Sequence, residues 1–157
     1  DSSAGSLEDY YSCLPRYRLM WMNVAYVAGE VKVIAYGPDG RPEMEQVLRT
    51  AAEPVRVVLT PEKAYGDLRV VIVTLADKDG NFIPNDNRCI FFEAEGCEIL
   101  AVGNSDPRGM ECFKATKSHS LCFGRAAVYL RGDGVLTASA EGLESARTPD
   151  DGARKAR

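Results

Sequence analysis

The sequence predicts an all-β protein whose main part is a β-sandwich. One observation is the segment Leu68–Ala76, in which almost every residue is β-branched or aliphatic. Such residues pack well on a pleated sheet and lose side-chain freedom in a helix. A second observation is the series of short alternating apolar and polar segments, separated by turns rich in Gly, Pro, Asn and Asp. Many short strands at regular spacing indicate an immunoglobulin-like sandwich.

The segment LRVVIVTLADKDG at Leu68–Gly80 is the strand around which we expect the other strands to be arranged. Its side chains alternate between two faces, Val71, Val73 and Leu75 on one and Val70, Ile72, Thr74 and Ala76 on the other. A strand that is apolar on both faces belongs in the middle of a layered structure. We therefore predict a central strand that ends in a tight turn at residues 77–81.

Further strands are predicted where apolar and polar residues alternate: Arg16–Val24, Gly29–Tyr36, Val55–Thr60, Arg88–Glu95, Cys97–Val102, Phe113–Lys117, Leu121–Arg131 and Val135–Ala140. The segment Glu43–Ala52 is ambiguous. Its apolar residues Met44, Val47, Leu48 and Ala51 have helical spacing, and its composition favours a helix. Periodicity alone would make this segment a helix.

The composition argues against two classes of partner. Charged residues make up 27% of the 157 residues and the net charge is −4, so we expect no basic face for nucleic acid. No stretch approaches the roughly 20 apolar residues of a transmembrane helix. The chain begins with Asp1 rather than Met. We therefore expect an excised piece, with any signal peptide upstream of it.

Five cysteines are present, which is an odd number: Cys13, Cys89, Cys97, Cys112 and Cys122. No CxxC motif occurs, and the single histidine, His119, has no neighbour that would complete a zinc pattern. Cys89, Cys97 and Cys122 lie in apolar runs, where a free cysteine behaves as a small hydrophobe. A disulfide between Cys89 and Cys97 on neighbouring strands is the alternative.

No grouping of residues indicates catalysis. The sequence has no nucleophile elbow, no set of Ser, His and Asp, and no Gly-rich phosphate loop. The Asp-rich turn after Asp77 is not a calcium loop, because Phe82 and Arg88 stand where an EF-hand needs Gly and Glu. We predict no catalytic residue, no cofactor and no metal site.

The least routine segment is Gly103–Glu111, GNSDPRGME, whose polar residues lie between two apolar strands. A plain strand connection is one interpretation. The other is a loop that faces a neighbouring domain or its ligand through Asn104, Asp106, Pro107 and Glu111, because binding loops lie on such scaffolds.

Trp21, Tyr26 and Tyr36 are a second candidate site, as an aromatic platform for a sugar ring. Aromatic residues on alternating strands more often serve packing in a core or an interface.

Two groups of short motifs stand out in the sequence. The first group is Trp21-x-x-Val24-x-Tyr26, then GEVKVxAY from Gly29, then Asp39-Gly40 and Thr50-Ala51. It resembles the end of a small immunoglobulin-like domain downstream of the barrel in many bacterial glycoside hydrolase family 2 enzymes of the β-galactosidase type. Ala28 replaces the usual Pro. The motifs that follow resemble the C-terminal immunoglobulin-like domain of the same enzymes: Leu59-Thr60-Pro61, Val71–Asn81, Pro84, Phe92–Gly96, Gly103-Asn104-x-Asp106-Pro107, Glu111-x-Phe113-Lys114-Ala115, Gly124-Arg125-Ala126 and Leu136–Leu143.

This resemblance implies four segments: an arm or loop at 1–15, the C-terminal part of a truncated immunoglobulin-like domain at 16–52, an immunoglobulin-like C-terminal domain at 53–148, and a tail at 149–157. It also favours a strand over a helix at Glu43–Ala52. Residues 16–50 would then form a partial β-meander with an unpaired edge and an uncovered apolar face. We expect that edge to pair with a second copy or to pack on the 53–146 domain.

The catalytic glutamates of this family lie on a (β/α)₈ barrel, which needs about 250 residues. The resemblance therefore implies a non-catalytic structural module of a β-glycosidase that hydrolyses O-glycosyl bonds, periplasmic or extracellular. Its partners would be the barrel and other domains of the parent chain. Met110 stands where family members often carry a His before the Glu of the Asp-Pro loop. Two alternatives are an immunoglobulin-like segment of an invasin/intimin-type adhesin and a carbohydrate-binding module.

Overall fold

The computed structural model describes residues 23–62 and 64–149, and these residues form strands and loops only. The described strands are β1 (Glu30–Tyr36), β2 (Pro42–Arg49), β3 (Arg56–Pro61), β4 (Leu68–Ala76), β5 (Cys89–Glu95), β6 (Glu98–Gly103), β7 (Ser118–Ser120), β8 (Arg125–Arg131), β9 (Val135–Ser139) and β10 (Ala146–Arg147). Within these two ranges no helix is long and apolar enough to cross a membrane. Several predicted features lie outside the described residues: the arm, Cys13 and Trp21. The same holds for nearly all of the predicted strand Arg16–Val24 and of the predicted tail.

Eight strands form two antiparallel sheets that enclose one core. The front sheet has the order β3-β4-β8-β6, and the back sheet has the order β10-β9-β5-β7. The core consists mainly of apolar residues from the facing sides of the two sheets, among them Val71, Val73, Leu75, Ile90, Phe92, Val102, Val128, Leu130, Leu136 and Ala138. The all-β sandwich is confirmed. The strand orders resemble the A-B-E-D and G-F-C sheets of an immunoglobulin domain, with β7 added; the immunoglobulin-like assignment itself stays a prediction.

Strand β4 is central, as its composition predicts. It pairs with β3 on one side and β8 on the other. Its inner residues Val71, Val73 and Leu75 are buried against the back sheet. The expectation of burial on both faces is wrong, because Val70, Ile72 and Thr74 are only half-buried and no other layer of the described residues covers them.

Most of the segment Glu43–Ala52 is a strand, as the family resemblance implies, and not the helix that its periodicity favours; the strand ends at Arg49. β2 pairs with β1 from Glu30 opposite Arg49 to Tyr36 opposite Pro42. Cross-strand pairing therefore overrides a helical composition here.

Two short strands differ from the sequence prediction. Phe113–Lys117 is not a strand; its first part runs beside β6 through hydrogen bonds from Val102 N to Phe113 O and from Ala115 N to Leu100 O. The strand that follows it is β7, at Ser118–Ser120. β10 was not predicted, because its two residues lie in a segment with no apolar alternation.

The β1–β2 hairpin has one charged and one apolar face. On the charged face, ion pairs join Arg49 to Glu30 at 2.8 Å and Lys32 to Glu45 at 2.7 Å. The opposite face is mainly apolar and carries Val31, Val33, Ala35, Met44 and Leu48 beside one polar residue, Gln46. Val31, Met44 and Leu48 are 61–70% exposed, and the hairpin pairs with no other described strand. The predicted uncovered apolar face is therefore present in the described residues.

The four described cysteines are free: Cys89, Cys97, Cys112 and Cys122. Cys89 begins β5 and Cys97 follows its end, so more than about 20 Å of extended chain separates them. A disulfide requires Cα atoms within about 7 Å. The Cys89–Cys97 alternative is therefore wrong.

Candidate functional site

The loop after β6 is organised by its own side chains. The Asn104 side-chain amide donates to Ser120 O at 2.9 Å, and its carbonyl oxygen accepts from Asp106 N at 3.0 Å. Asp106 in turn accepts from Arg108 N at 2.9 Å. Because Ser120 lies in β7, Asn104 ties the end of the front sheet to the edge of the back sheet.

Hydrogen bonds stabilise the ionised form of Asp106. The backbone N–H of Arg108 holds the pKa of this carboxyl below its usual range, and the Arg108 side chain acts in the same direction against the effect of burial. Asp106 is therefore a carboxylate at neutral pH. Its role in the loop is to fix the turn at residues 106–109, where Gly109 N also donates to Asp106 O.

Glu111 closes the loop from the other side. Its carboxylate accepts from Ser120 N at 3.2 Å and from Ser120 Oγ at 2.9 Å. The same carboxylate lies 3.4 Å from Nδ1 of the buried His119. Local sequence gave no sign of these contacts, because Glu111 and Ser120 are nine positions apart. Of the four predicted site residues, Asn104, Asp106 and Glu111 act within the loop, and Pro107 is exposed at its tip.

Ser105 in this loop has a positive φ angle of 62°. Such angles are uncommon for residues with a Cβ atom and often mark functional segments. Two non-glycine residues outside the loop also have positive φ angles, Ala115 and Phe123 at 49° each. Met110 is 97% exposed in the loop, and Phe113 just after it is 66% exposed. These exposed apolar side chains suit contact with a neighbouring domain.

The arrangement of the tyrosines contradicts the aromatic platform. Tyr26 lies at the base of the hairpin, where its hydroxyl bonds to Thr50 Oγ1 at 3.3 Å. Tyr36 ends β1 at the tip of the hairpin. About six residues of strand, or roughly 20 Å, separate the two ends. One sugar ring does not span that distance, and Trp21 lies outside the described residues.

Asp77 anchors the connection between the hairpin and the sandwich. It is buried at the end of β4 and accepts from Asp79 N and Asn81 N within its own turn. Its second oxygen accepts from Ala52 N at 2.9 Å, 25 residues earlier in the chain. The Ala52 bond is the largest of the effects that hold the pKa of Asp77 well below its ordinary value of 3.8, followed by the Asn81 side chain.

Asp77→Asn is expected to lower the melting temperature by roughly 5–10 °C at neutral pH. The depressed pKa means that the carboxylate stabilises the fold above pH 3.8 and that this stabilisation is lost as the pH falls towards the folded-state value. The difference in melting temperature between the wild type and the Asp77→Asn variant should therefore become smaller at acidic pH. Thermal unfolding at a series of pH values measures it. Asp79→Asn removes a charge from the same turn at an exposed position, and an equal loss there would contradict the anchor.

Comparison with known proteins identifies the sandwich. Residues 60–149 match the family model described as glycoside hydrolase family 2 C-terminal domain 5. No curated protein matches the chain. Among solved structures, a β-glycosidase from Bacteroides vulgatus is 20% identical with a TM-score of 0.71, and the match covers 80% of this chain and 17% of that one.

Two further solved structures have the same fold over the same share of the chain. A glycosyl hydrolase family 2 member from Bacteroides cellulosilyticus DSM 14838 is 23% identical with a TM-score of 0.70, and 18% of its length is covered. A β-glucuronidase from Parabacteroides merdae is 18% identical with a TM-score of 0.54, and 17% of its length is covered. These likenesses establish the fold, and this chain spans less than a fifth of each protein. From the family match over residues 60–149, we conclude that the chain belongs to the glycoside hydrolase family 2 C-terminal domain 5 family.

Proposed function

We propose that the chain is a non-catalytic structural module of a longer bacterial glycoside hydrolase that cleaves O-glycosyl bonds. The observation that carries this proposal is the family match at residues 60–149. The small share of each similar protein that the chain covers supports a parent with further domains. The parent is of the β-galactosidase type and is periplasmic or extracellular.

The uncovered hairpin face supports a structural role within such a parent. Val31, Met44 and Leu48 would be covered by another part of the parent, which would complete a second sandwich with residues 16–52. The loop at 103–111 would face a neighbouring domain or its ligand. The family match favours this function over an adhesin segment, and the separation of Tyr26 from Tyr36 argues against a carbohydrate-binding module that uses both.

The test compares this 157-residue chain with the complete polypeptide, meaning the longer chain of which it would be a part. Hydrolysis of nitrophenyl β-galactoside and other nitrophenyl β-glycosides is measured for both at equal molar concentration. We expect activity from the complete polypeptide and none from the 157-residue chain. Stoichiometric activity of the 157-residue chain would contradict a non-catalytic module, and an inactive complete polypeptide would contradict a hydrolase parent.

Separated from a parent, the hairpin is expected to pair with a second copy through its apolar face and free edges. Val31 lies opposite Leu48. The double variant Val31→Lys with Leu48→Glu keeps a favourable cross-strand pair and removes the apolar contact. Because each buried aliphatic side chain contributes about 1.5–3 kcal/mol, the variant should weaken self-association by more than about tenfold. Sedimentation velocity over a range of concentrations measures it.

The matched control reverses the ion pair on the opposite face, as Lys32→Glu with Glu45→Lys. It changes as many residues and leaves the apolar face intact, so self-association should persist. A wild-type chain that stays monomeric at every concentration would show that the hairpin face does not bind a second copy.

A further inference from the structure

The outer face of the front sheet has no charged residue over nine neighbouring positions. The strand register places Val58 opposite Thr74, Thr60 opposite Ile72, and Val70 opposite Tyr129. We call these nine positions the outer band: Val58, Thr60, Val70, Ile72, Thr74, Ala101, Gly103, Ala127 and Tyr129. An antiparallel sheet with one solvated face normally carries polar residues on that face. The outer band departs from this rule, because Thr60, Thr74 and Tyr129 are its only polar side chains.

The outer face of the back sheet follows the rule and serves as an internal comparison. Glu93 lies opposite Thr137, and Phe91 lies opposite Ser139. Arg147 forms an ion pair with Glu95 at 2.8 Å across this face. The outer face of the back sheet is therefore more polar than the outer band of the front sheet.

The outer band is not flat, because its side chains differ in size. In one row across the sheet, side-chain size falls from Ile72 on β4 to Ala127 on β8 and Gly103 on β6. The trough ends at Asn104 and Ser105 of the loop after β6, and the charged residues Glu62 and Arg125 line its margin. A protruding apolar group, rather than a flat surface, fits this shape.

Charges stand at both ends of the outer band. Arg125 marks one end, where its guanidinium lies 4.7 Å from the centre of the Phe82 ring. At the other end, Arg131 lies 3.4 Å from Glu98 and 3.6 Å from Asp67. The uncharged area is thus bounded, with a polar rim like that of a protein interface.

The area of the outer band distinguishes a second copy of this chain from another domain of the same polypeptide as the partner. Four strands about 4.8 Å apart and five residues rising about 3.3 Å each give a patch of roughly 300 Å². A stable dimer buries about 800 Å² on each partner. Contacts between domains of one chain bury about 600–1,500 Å² in total, and linkage through the chain raises the effective concentration. The patch matches a contact with another domain of the same polypeptide.

We propose that the outer band docks a neighbouring domain of the same polypeptide, which inserts an apolar group into the trough above Ala127 and Gly103. This inference rests on the proposed function, because it requires a parent with further domains. It adds a second contact surface, on the sandwich itself and separate from the hairpin face.

Oxidative footprinting of Tyr129 tests the proposal, with Phe91 as the internal control. Tyr129 is 39% exposed on the outer band, and Phe91 is 53% exposed on the back sheet. Tyr129 oxidation by hydroxyl radicals should be roughly fivefold slower in the complete polypeptide than in the 157-residue chain, because the core of an interface loses most of its accessible surface. Phe91 oxidation should be the same in both.

A pair of matched variants makes the test specific. Thr74 on the outer band and Thr137 on the back sheet are both half-buried and both lie on strands paired on each side. Arg125 lies directly opposite Thr74, so Thr74→Lys places a second positive charge without a partner in the docked state. It should raise Tyr129 oxidation in the complete polypeptide by up to about fivefold, to the level of the 157-residue chain. Thr137→Lys should leave Tyr129 protected. In the 157-residue chain, both variants should unfold at similar temperatures.

Each other outcome overturns the proposal. Equal oxidation of Tyr129 in the two polypeptides would show that nothing docks there. Protection that grows with the concentration of the 157-residue chain would identify a second copy as the occupant. Protection that survives Thr74→Lys would place the contact elsewhere. The footprint does not depend on catalysis, so an inactive complete polypeptide with a protected Tyr129 would refute the hydrolase function and leave the docking surface standing.

Discussion

Gly134→Ala is expected to lower the free energy of unfolding by at least about 3 kcal/mol. A Cβ atom at this position would lie 2.0 Å from Glu95 O and 2.4 Å from Cys97 N. These are backbone atoms of the connection between β5 and β6, so no side chain can rotate away to make room. Gly134 itself lies in the connection between β8 and β9. This connection and the one between β5 and β6 would have to move apart by more than an ångström. Urea denaturation at neutral pH measures the change as a lower midpoint.

Gly103→Ala is the matched control for this variant. Gly103 lies in β6, and a Cβ atom there would meet nothing within 4 Å. We expect its unfolding midpoint to stay within experimental error of wild type or to rise slightly, since alanine has the smaller entropy cost on folding. A Gly134→Ala midpoint equal to that of Gly103→Ala would mean that the two connections do not constrain each other.

Phe92→Ala is expected to cost about 3–5 kcal/mol of the free energy of unfolding. Phe92 lies in the middle of β5 with 1% of its surface exposed, and it is the largest of the fully buried side chains. Its removal leaves a cavity between the two sheets. Small domains have only about 5–15 kcal/mol of stability, so this single change uses up much of it.

The neighbouring residue provides the control. Phe91 lies on the opposite face of the same strand and is 53% exposed. Phe91→Ala removes an identical side chain from a solvated sheet face, and we expect a loss below about 1 kcal/mol. Similar losses for the two variants would show that strand propensity, rather than burial between the sheets, determines the contribution of Phe92.

The candidate loop shows how far sequence reasoning reaches. Its position and its polar residues were visible, because Asn104, Asp106 and Glu111 lie in a polar stretch between two strands. The partners were not visible, because Ser120 belongs to the back sheet and comes into contact only when β7 pairs with β5. The positive φ angles at Ala115 and Phe123 were equally hidden, since neither residue type prefers them.

The sequence by itself determined the elements whose cause is local. Alternation placed Val71, Val73 and Leu75 on the buried side of β4, and Ala126, Val128 and Leu130 on the buried side of β8. A strand with a period of two must put such residues on one face. Turn residues likewise marked the last residues of β4 and β8, whereas β8 begins at Arg125, four residues later than predicted.

Tertiary structure alone decided the features that depend on pairing. Glu43–Ala52 has the composition of a helix, yet it is a strand as far as Arg49 because β1 supplies the hydrogen bonds. Asp77 reads as a turn residue and becomes the anchor of Ala52, 25 positions away. Val70, Ile72 and Thr74 look like the second buried face of a strand, yet the outer side of the front sheet is left uncovered. Alternation states which residues share a face, whereas only the packing of whole layers decides what, if anything, covers that face.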